Sequence, residues 1–591
     1  MKKTLFYLFV LVINLTIQAQ TAGTLDTNFG TSGSVFAPAQ KNSYPYCIDF
    51  EAYSGEIAIA GQYKKTASLT VGYVGRYDFY GKPRTAFGTN GVLEISDLST
   101  TIQTVSEVLF TGNSSFFVRG TYKDASNATV LFFRKYLANG TLDTSFGTGG
   151  TLIGLYGEIN GNYIYSLKTN PTTKHQYLNR YHLADGTLDA TFNNSEFPFL
   201  TTDSRFYSSQ YRHMNFQANG KIVLCGYKTI NAVNYPFIGR FDSLGNSDTT
   251  FGTNGYYTGT NPGDAWQTKT QSDGKIVYIN TTGPQNGTNA ILNRINANGT
   301  VDTSYGTAGS FNYTYDFGGN YVDKMLMQSD DKVLLCGSVA MDANGVSSLF
   351  SARVGTTGVL DFKRLDMQSP YSENWSMVMP NETYLLTFGE TSNADYSLYT
   401  PTIQRIFLKT PLVSIIGDAY LNGNFTNDLN MTTLDGTTYT LNNVSLISGK
   451  AVKFRVDHDW RINWGAAATN PFPTGKGLMG GQGDITIPTT GIYNVSFNIA
   501  TGVYNFTNTL SIASFDKNNI VVYPNPAKNQ INLQFPNQVR ADKITITDLT
   551  GKKVLEQNNS SQVNVSNLAK GMYVIEAVSG EEKFVSKFVK D

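Results

Sequence analysis

The sequence has 591 residues, of which 40% are hydrophobic and 13% aromatic. This is enough apolar material for several packed cores, and it excludes a disordered chain. The 45 basic and 45 acidic side chains cancel, and no run of lysine and arginine is interleaved with aromatic residues. A nucleic acid is therefore not expected as a partner, because binding to its phosphates needs a basic surface.

The first 20 residues predict a secretory signal peptide. Two lysines precede an apolar stretch from Leu5 to Leu15, and a polar end follows at residues 17–20. The apolar stretch is shorter than the roughly 20 residues that a transmembrane helix needs, and Asn14 interrupts it. We therefore expect residues 1–20 to be removed during export, which leaves a mature chain without a transmembrane segment.

A tract with the pattern Gly-x-Leu-Asp-x-x-Phe-Gly opens at Gly23 and returns, with some substitutions, six more times. The further copies begin at Gly81, Gly140, Gly186, Gly245, Gly299 and Gly358. Between successive copies lie two strand-like runs that are rich in β-branched and aromatic residues and are separated by turn-forming residues. Each unit is therefore predicted to form about four short antiparallel strands, the size of one propeller blade.

The two ends of the repeat array complement one another. The seventh pair of strand-like runs, residues 382–388 and 403–408, has no tract after it, and the first tract, at Gly23, has no pair before it. If the amino-terminal tract completes the last unit, no sheet edge stays exposed. The sequence thus predicts an all-β fold that begins with a seven-bladed β-propeller, closed by pairing of residues 23–35 with residues 375–408.

The repeat resembles the delta-60 repeat family. The hallmark segments of that family, Gln-x-Asp-Gly-Lys-Ile and Gly-x-Leu-Asp-x-Ser-Phe-Gly, match residues 271–276 and 140–147. The resemblance covers residues 23–408 and implies a β-propeller. We assign residues 21–410 to this domain.

The aspartates of the tract allow two interpretations. They are Asp26, Asp143, Asp189, Asp248, Asp302 and Asp361. They could form a ring of calcium ligands, but the second copy has Arg84 in their place, which a shared metal site would not tolerate. We favour a tight turn capped by the carboxylate, with the aromatic residue that follows packed between blades.

The repeat stops near Pro411, and residues 411–510 follow a different pattern. Three segments of this pattern are residues 435–440, 460–465 and 491–495. They are similar to a carbohydrate-binding unit of the SusE/SusF outer-membrane starch-binding family, which implies a small β-sandwich that binds glucans. Sugar recognition needs flat aromatic faces beside hydrogen-bonding groups. The candidate carbohydrate-binding residues are therefore Trp460, Arg461, Asn463 and Trp464, and the alternative is that the tryptophans belong to the core.

The carboxyl-terminal segment, residues 517–591, has a third pattern of alternating strands and turns. Its signature residues are Tyr523, Pro524, Asn525, Pro526, Gly551, Gly571 and Tyr573. The segment resembles the type A sorting domain of type IX secretion substrates in Bacteroidota, a compact β-sandwich. This resemblance implies that the type IX translocon and its sortase are partners. It also implies a protein that passes through the periplasm and is then secreted or attached to the outer-membrane surface.

No catalytic pattern is visible in the sequence. The four histidines are not spaced as a metal pair, and no nucleophile elbow, phosphate loop or dinucleotide fingerprint occurs. The sequence therefore predicts a non-catalytic binding protein without a cofactor or metal. In this interpretation the propeller is a scaffold or interaction platform, and a polysaccharide is the ligand of the middle domain.

Two alternatives for the function stay open. The first is a structural or adhesive surface protein whose middle domain does not bind sugar. The second is a propeller glycosidase, in which paired acids on separate blades, such as Asp264 and Asp323, would act on the glycosidic bond.

Overall fold

The structure is a computed structural model of the chain. It describes residues 22–36, 43–51, 55–111, 115–197, 203–207, 214–281, 290–313, 320–340, 347–369, 375–378, 382–392, 399–420, 423–466, 472–481, 483–509, 520–534, 541–579 and 582–591. Every regular element in these ranges is a β-strand, which confirms the all-β prediction. The chain forms two compact units: one comprises residues 1–442, 447–489 and 495–506, and the other comprises residues 443–446, 490–494 and 507–591.

The repeat array lies in the first unit, and its described residues form seven antiparallel sheets in succession. Strand β1 is Ser34–Phe36, and the first sheet contains β2 (Ser43–Phe50), β3 (Ile57–Lys64), β4 (Thr70–Tyr77) and β5 (Val92–Ile95). The second sheet contains β6 (Gln103–Phe110), β7 (Phe116–Lys123), β8 (Thr129–Tyr136) and β9 (Thr151–Ile153). The third sheet contains β10 (Glu158–Asn160), β11 (Tyr163–Thr169) and β12 (Gln176–His182). The fourth sheet contains β13 (Ser204–Phe206), β14 (Met214–Phe216), β15 (Ile222–Ile230), β16 (Val233–Phe241) and β17 (Tyr256–Thr258). The fifth sheet contains β18 (Asp264–Thr270), β19 (Ile276–Thr281), β20 (Ala290–Ile295) and β21 (Ser310–Tyr313). The sixth sheet contains β22 (Asn320–Met327), β23 (Val333–Ala340), β24 (Ser347–Val354) and β25 (Leu360–Ser369). The seventh sheet contains β26 (Trp375–Val378), β27 (Tyr384–Ser392) and β28 (Tyr399–Phe407), and β1 lies at its edge.

The amino-terminal segment completes the seventh sheet. Strand β1 is antiparallel to β28, with Ser34 opposite Gln404 and Phe36 opposite Thr402. The backbone N–H of Gly23 also donates to the carbonyl of Phe407 at 2.7 Å. The predicted pairing of residues 23–35 with residues 375–408 is therefore confirmed, and it covers the outer edge of β28.

Hydrophobic cores lie between successive sheets. One cluster joins Ala58 and Val74 of the first sheet to Val118 and Phe132 of the second. Strand β3 is buried along most of its length, because its side chains pack on both faces of the sheet. The aromatic residues of the tracts lie in these interfaces and are at most 5% exposed; they are Phe29, Phe87, Phe146, Phe192, Phe251 and Tyr305.

An arginine near the end of the strand that precedes a tract holds the aspartate of that tract. In the fourth sheet, Arg240 Nε donates to Asp248 Oδ2 at 2.7 Å, and the guanidinium lies 4.7 Å from the ring centre of Phe251. The same pairing recurs at Arg180–Asp189, Arg294–Asp302, Arg353–Asp361 and Arg405–Asp26. Because the last pair joins the two ends of the array, the amino-terminal tract occupies the same place in its sheet as the other tracts.

The same arginines also connect neighbouring sheets. Arg240 Nη1 donates to the carbonyl of Ala297, which follows the third strand of the fifth sheet. The corresponding bonds are Arg180 to Ser243, Arg294 to Thr356, Arg353 to Leu408 and Arg405 to Phe79. Each of these arginines therefore links its own sheet to the next one, and Arg405 links the seventh sheet to the first.

The aspartates act as turn caps. Asp248 Oδ1 accepts hydrogen bonds from the backbone N–H of Thr250 at 3.1 Å and from its hydroxyl at 2.6 Å, while Oδ2 is held by Arg240. This is what the capped-turn interpretation predicts. Within the described ranges, no cluster of His, Cys, Asp and Glu has the arrangement to hold a metal ion.

Two units of the array depart from this arginine–aspartate pairing, and another charged residue forms an ion pair in each of them. Where Arg84 replaces the aspartate, Glu56 forms ion pairs with both Arg76 and Arg84, so the carboxylate of the residue just before β3 takes the place of the aspartate. In the next tract, Asp143 pairs with Lys135 at 3.0 Å, because a lysine stands at the arginine position. A buried arginine without a counter-charge would be strongly destabilising, which explains why the substitution at position 84 comes with Glu56.

The stability of the repeat array should fall at low pH. Burial raises the pKa of Asp302, but hydrogen bonds from Ser304 and the charge of Arg294 outweigh it and hold the pKa at about 2. Hydrogen bonding by Thr191 and pairing with Arg180 likewise lower the pKa of Asp189 to about 2. Because these values lie below those of the unfolded chain, the stabilisation is complete above about pH 4 and is lost as the pH falls towards 2.

Urea unfolding of the mature protein at several pH values between 5 and 2 measures this loss. We expect the unfolding midpoint to fall steeply below about pH 4. The variant Asp302→Asn should be less stable at neutral pH but should lose less stability between pH 4 and 2, since one titrating group is gone. A variant that follows the wild-type pH profile would contradict this assignment.

The middle and carboxyl-terminal segments contain the remaining sheets. The middle segment has β29 (Val413–Gly417), β30 (Asp428–Asn430), β31 (Thr432–Thr433), β32 (Thr438–Leu446), β33 (Ala451–Val456), β34 (Asp459–Gly465), β35 (Thr474–Lys476), β36 (Leu478–Met479), β37 (Ile485–Thr486), β38 (Gly491–Asn498) and β39 (Val503–Thr509). One sheet has the order β30-β29-β33-β34-β36, with β37 beside β33, and the other has the order β31-β32-β38-β39-β35. The carboxyl-terminal segment has β40 (Val521–Tyr523), β41 (Gln530–Gln534), β42 (Lys543–Asp548), β43 (Lys553–Asn558), β44 (Gln562–Asn564), β45 (Gly571–Ser579) and β46 (Glu582–Lys590), in the sheets β40-β41-β44 and β43-β42-β45-β46.

Candidate functional sites

The hairpin of β33 and β34 carries all four candidate carbohydrate-binding residues, and the structure separates them. Trp464 lies opposite Phe454 in the hairpin and is 2% exposed. Its ring packs edge-on against Phe497, with ring centres 5.1 Å apart. Trp464 is therefore a core residue, as the alternative interpretation predicts, and it presents no face to a sugar.

Arg461 contacts the repeat array instead of an open surface. Its Nη2 is paired with Asp459 Oδ2 at 2.6 Å, and its guanidinium lies 5.7 Å from the ring centre of Phe50 and 6.0 Å from that of Phe79. The hydroxyl of Tyr80 donates to the backbone carbonyl of Arg461 at 2.5 Å. Arg461 thus anchors the middle segment to the first sheet.

Asn463 has a local structural role. Its Nδ2 donates to the carbonyl of Trp460 at 2.6 Å, which fixes the start of β34. Its Oδ1 is buried and has no hydrogen-bond partner among the described residues. The side chain is therefore directed at its own strand.

Trp460 is the candidate residue that presents an open aromatic face. It is 42% exposed, and Phe425, itself 36% exposed, lies with its ring centre 6.2 Å away at an angle of 35°. The guanidinium of Arg455 lies 4.6 Å from the Trp460 ring centre. We call Phe425, Arg455 and Trp460 the Trp460 platform.

The platform is held by an ion pair behind it. Arg455 Nε donates to Asp428 Oδ1 at 2.9 Å. Burial raises the pKa of Asp428, but hydrogen bonds from Arg455 and Ser414 outweigh this effect and lower it overall. The pair therefore stays charged at neutral pH and fixes Arg455 against the tryptophan. Beside the platform, His458 Nε2 and Asn430 Oδ1 are 2.9 Å apart, which supplies exposed polar groups.

Sequence reasoning did not identify Phe425 or Arg455. Phe425 lies in a turn that is capped by Asn424, whose Oδ1 accepts from the N–H groups of Thr426 and Asn427. An aromatic residue between polar turn residues is a usable signal, because such a ring has no strand to bury it. The position of Arg455 depends on hairpin register and leaves no sequence signal of its own.

The paired acids of the glycosidase alternative lie on neighbouring sheets. Asp264 is the first residue of β18, and Asp323 lies in β22. The carboxylate of Asp264 accepts a hydrogen bond from the hydroxyl of Tyr207. Burial, together with this bond, raises the pKa of Tyr207, so the hydroxyl stays protonated and donates.

The sorting-signature residues divide into exposed and structural groups. Tyr523 is 49% exposed, and the adjoining Pro524, Asn525 and Pro526 are also exposed. The segment is held by Asn525, whose Oδ1 accepts the N–H of Val589 at 2.8 Å. This places an exposed tetrapeptide in a fixed position beside β46.

The other signature residues shape the domain itself. Tyr573 is 7% exposed, and its hydroxyl donates to the carbonyl of Ala569 at 2.9 Å. Gly551 adopts φ of +82° in the turn between β42 and β43, a conformation that favours glycine. Gly571 opens β45 and is exposed. In the part of the chain that the structure describes, no helix is long and apolar enough to span a bilayer.

Several solved structures resemble this chain at low sequence identity. The polysaccharide lyase Uly1 has a TM-score of 0.39 and 10% identity, over 67% of this chain and 98% of that chain. The β-propeller domain of the trilobed protease from Pyrococcus furiosus has a TM-score of 0.27 and 11% identity, over 52% and 95%. The endo-arabinase from Bacteroides thetaiotaomicron has a TM-score of 0.26 and 10% identity, over 64% and 98%. These scores are too low to carry an inference about activity.

Two protein families match parts of the chain, although no curated protein sequence matches it. Residues 521–591 match the secretion system C-terminal sorting domain. Residues 217–251 and 271–305 match the domain of unknown function (DUF5122) beta-propeller. The two matches indicate a secreted or cell-surface protein that carries a type IX sorting domain and a β-propeller.

Proposed function

We propose that the protein is a non-catalytic, secreted or surface-displayed binding protein whose middle domain binds a starch-like glycan at the Trp460 platform. The observation that carries this proposal is the half-exposed pair of Trp460 and Phe425, supported from behind by Arg455. Pyranose rings stack on such aromatic faces through their apolar sides. The exposed His458 and Asn430 would meet the hydroxyl groups.

The repeat array serves as the scaffold in this proposal, as a closed seven-bladed propeller. Seven sheets in succession support this arrangement, together with the pairing of β1 with β28 and the bond from Arg405 to Phe79. The contacts of Arg461 with the first sheet fix the middle domain to this scaffold. The two small domains are β-sandwiches in this proposal, since each contains two sheets.

Affinity electrophoresis of the mature protein in gels that contain starch or other glucans tests the binding site. Starch should retard the wild type, and Trp460→Ala should weaken binding at least roughly tenfold, because a central aromatic contact is lost. The matched control is Leu434→Ala, since Leu434 is fully exposed in the same segment.

The outcomes separate the proposal from its alternatives. Equal retardation of wild type and Trp460→Ala would place the sugar elsewhere. If no glucan retards the wild type, the adhesive role is favoured over sugar binding. Release of reducing sugar from a polysaccharide panel would instead indicate a glycosidase.

A further inference from the structure

A groove crosses three neighbouring sheets of the repeat array, well away in sequence from the Trp460 platform. It is formed by the turns that precede β15, β19 and β23 in the fourth, fifth and sixth sheets, at residues 217–221, 271–274 and 328–331. Its volume is about 630 Å³. This is within the range of about 300–1,000 Å³ that small-molecule sites occupy.

The charged side chains of the groove are engaged in ion pairs or hydrogen bonds with neighbouring residues. Lys221 Nζ and Arg240 Nε both contact Asp248 Oδ2, at 2.8 Å and 2.7 Å. Asp331 accepts hydrogen bonds from the backbone N–H and the hydroxyl of Ser272, at 2.7 Å and 2.5 Å. Asp273 pairs with Lys275. These charged side chains therefore already have polar partners, which disfavours both anions and cations as ligands.

One buried acceptor in the groove has no partner. Gln328 is 5% exposed, and its Oε1 forms no hydrogen bond with the described residues. Gln271, at the same position of the preceding repeat, is satisfied: its Oε1 accepts from Arg294 at 3.2 Å, and its Nε2 donates to the carbonyl of Asp331 at 2.9 Å. A buried acceptor without a partner is unfavourable, so Gln328 is suited to receive a donor from a ligand.

We propose that this groove is a second binding site, for a neutral saccharide of two or three rings. A hydroxyl of the sugar would donate to Gln328 Oε1, and the hydroxyls of Ser272 and Ser329 line the same space. The apolar face of a ring would pack on Phe216 and Met327, which also line the groove. This site lies in the repeat array and does not depend on the Trp460 platform.

The test uses the full mature chain with Trp460→Ala, so that the first site is removed. Isothermal titration and saturation-transfer NMR with maltotriose, cellotriose, xylotriose and mannotriose should detect binding of at least one sugar. Adding Gln328→Met should weaken this binding by roughly fivefold, the effect of one hydrogen bond. A second variant, Ala218→Trp, should block the groove by size, since Ala218 is exposed at its lining and its side chain makes no hydrogen bond.

Each outcome bears on the proposal. Binding that is weakened by Gln328→Met and abolished by Ala218→Trp supports it, provided that both variants melt at the wild-type temperature. The proposal is overturned if none of the four trisaccharides binds, or if binding survives Ala218→Trp. Binding of trigalacturonate or inorganic phosphate in preference to the neutral sugars would also overturn it. Loss of starch retardation in Trp460→Ala concerns only the Trp460 platform and does not decide whether the groove binds a sugar. The two proposals can therefore be refuted independently.

Discussion

Removal of residues 521–591 should leave the protein in the periplasm instead of at the cell surface or in the medium. These residues match a secretion sorting domain and have their own hydrophobic core, which includes Ile544, Ile575 and Phe588. Without them the type IX machinery has nothing to recognise, so we expect surface delivery to fall below detection. Cell fractionation and surface proteolysis of the full-length and truncated forms measure the difference.

The control for this deletion is a transfer experiment. Residues 520–591 fused to a periplasmic reporter should carry the reporter out of the cell, because the buried residues of the domain core lie between Ile520 and Phe588. Surface delivery of the truncated protein at the full-length level would refute the assignment of this segment. Retention of the fused reporter would show that another part of the chain is also required.

The variant Asp26→Ala should open the repeat array at its closure. Asp26 is 1% exposed and Arg405 is not exposed, and Arg405 Nη2 lies 2.8 Å from Asp26 Oδ2. Removing one member of a buried ion pair leaves the other charged and without compensation, which costs about 3–5 kcal/mol. Because the pair connects the two ends of the array, we expect residues 22–36 to detach from β28 before the other sheets unfold.

Hydrogen exchange of the mature protein, read by mass spectrometry, measures this effect at residues 22–36. The control is Asp143→Ala, which removes the same motif position in a pair whose side chains are 15% and 22% exposed. The control pair lies in the second sheet and is more exposed than Arg405–Asp26, so the control should leave exchange at residues 22–36 unchanged. Equal protection of residues 22–36 in wild type and Asp26→Ala would contradict a closure that depends on this pair.

The repeat made much of the first unit predictable. The tracts at Gly245 and Gly299 each precede the last strand of a sheet, and the missing tract after residue 408 predicts the pairing of β1 with β28. The arginines were not predicted, although Arg240 and Arg294 each precede the tract aspartate by eight residues. Their role becomes visible only when the strand register brings them beside the carboxylate.

The candidate binding residues were less predictable, because their roles depend on which face of a hairpin is covered. Trp460 and Trp464 are four residues apart in one strand, yet one is half-exposed and the other buried. The repeat array covers Arg461 with Phe50 and Phe79, which lie more than 380 positions earlier in the sequence. A short motif cannot contain information about such distant neighbours.

The pairing of β1 with β28 has a consequence for the order of assembly. Residues 34–36 are made almost at the start of synthesis, but their partners at 402–404 are made more than 360 residues later. Closing such a long loop is entropically costly and slows folding. The first strand must therefore wait unpaired while six complete sheets form, so the growing chain presents a free edge that is open to aggregation or to capture by a chaperone until its end arrives.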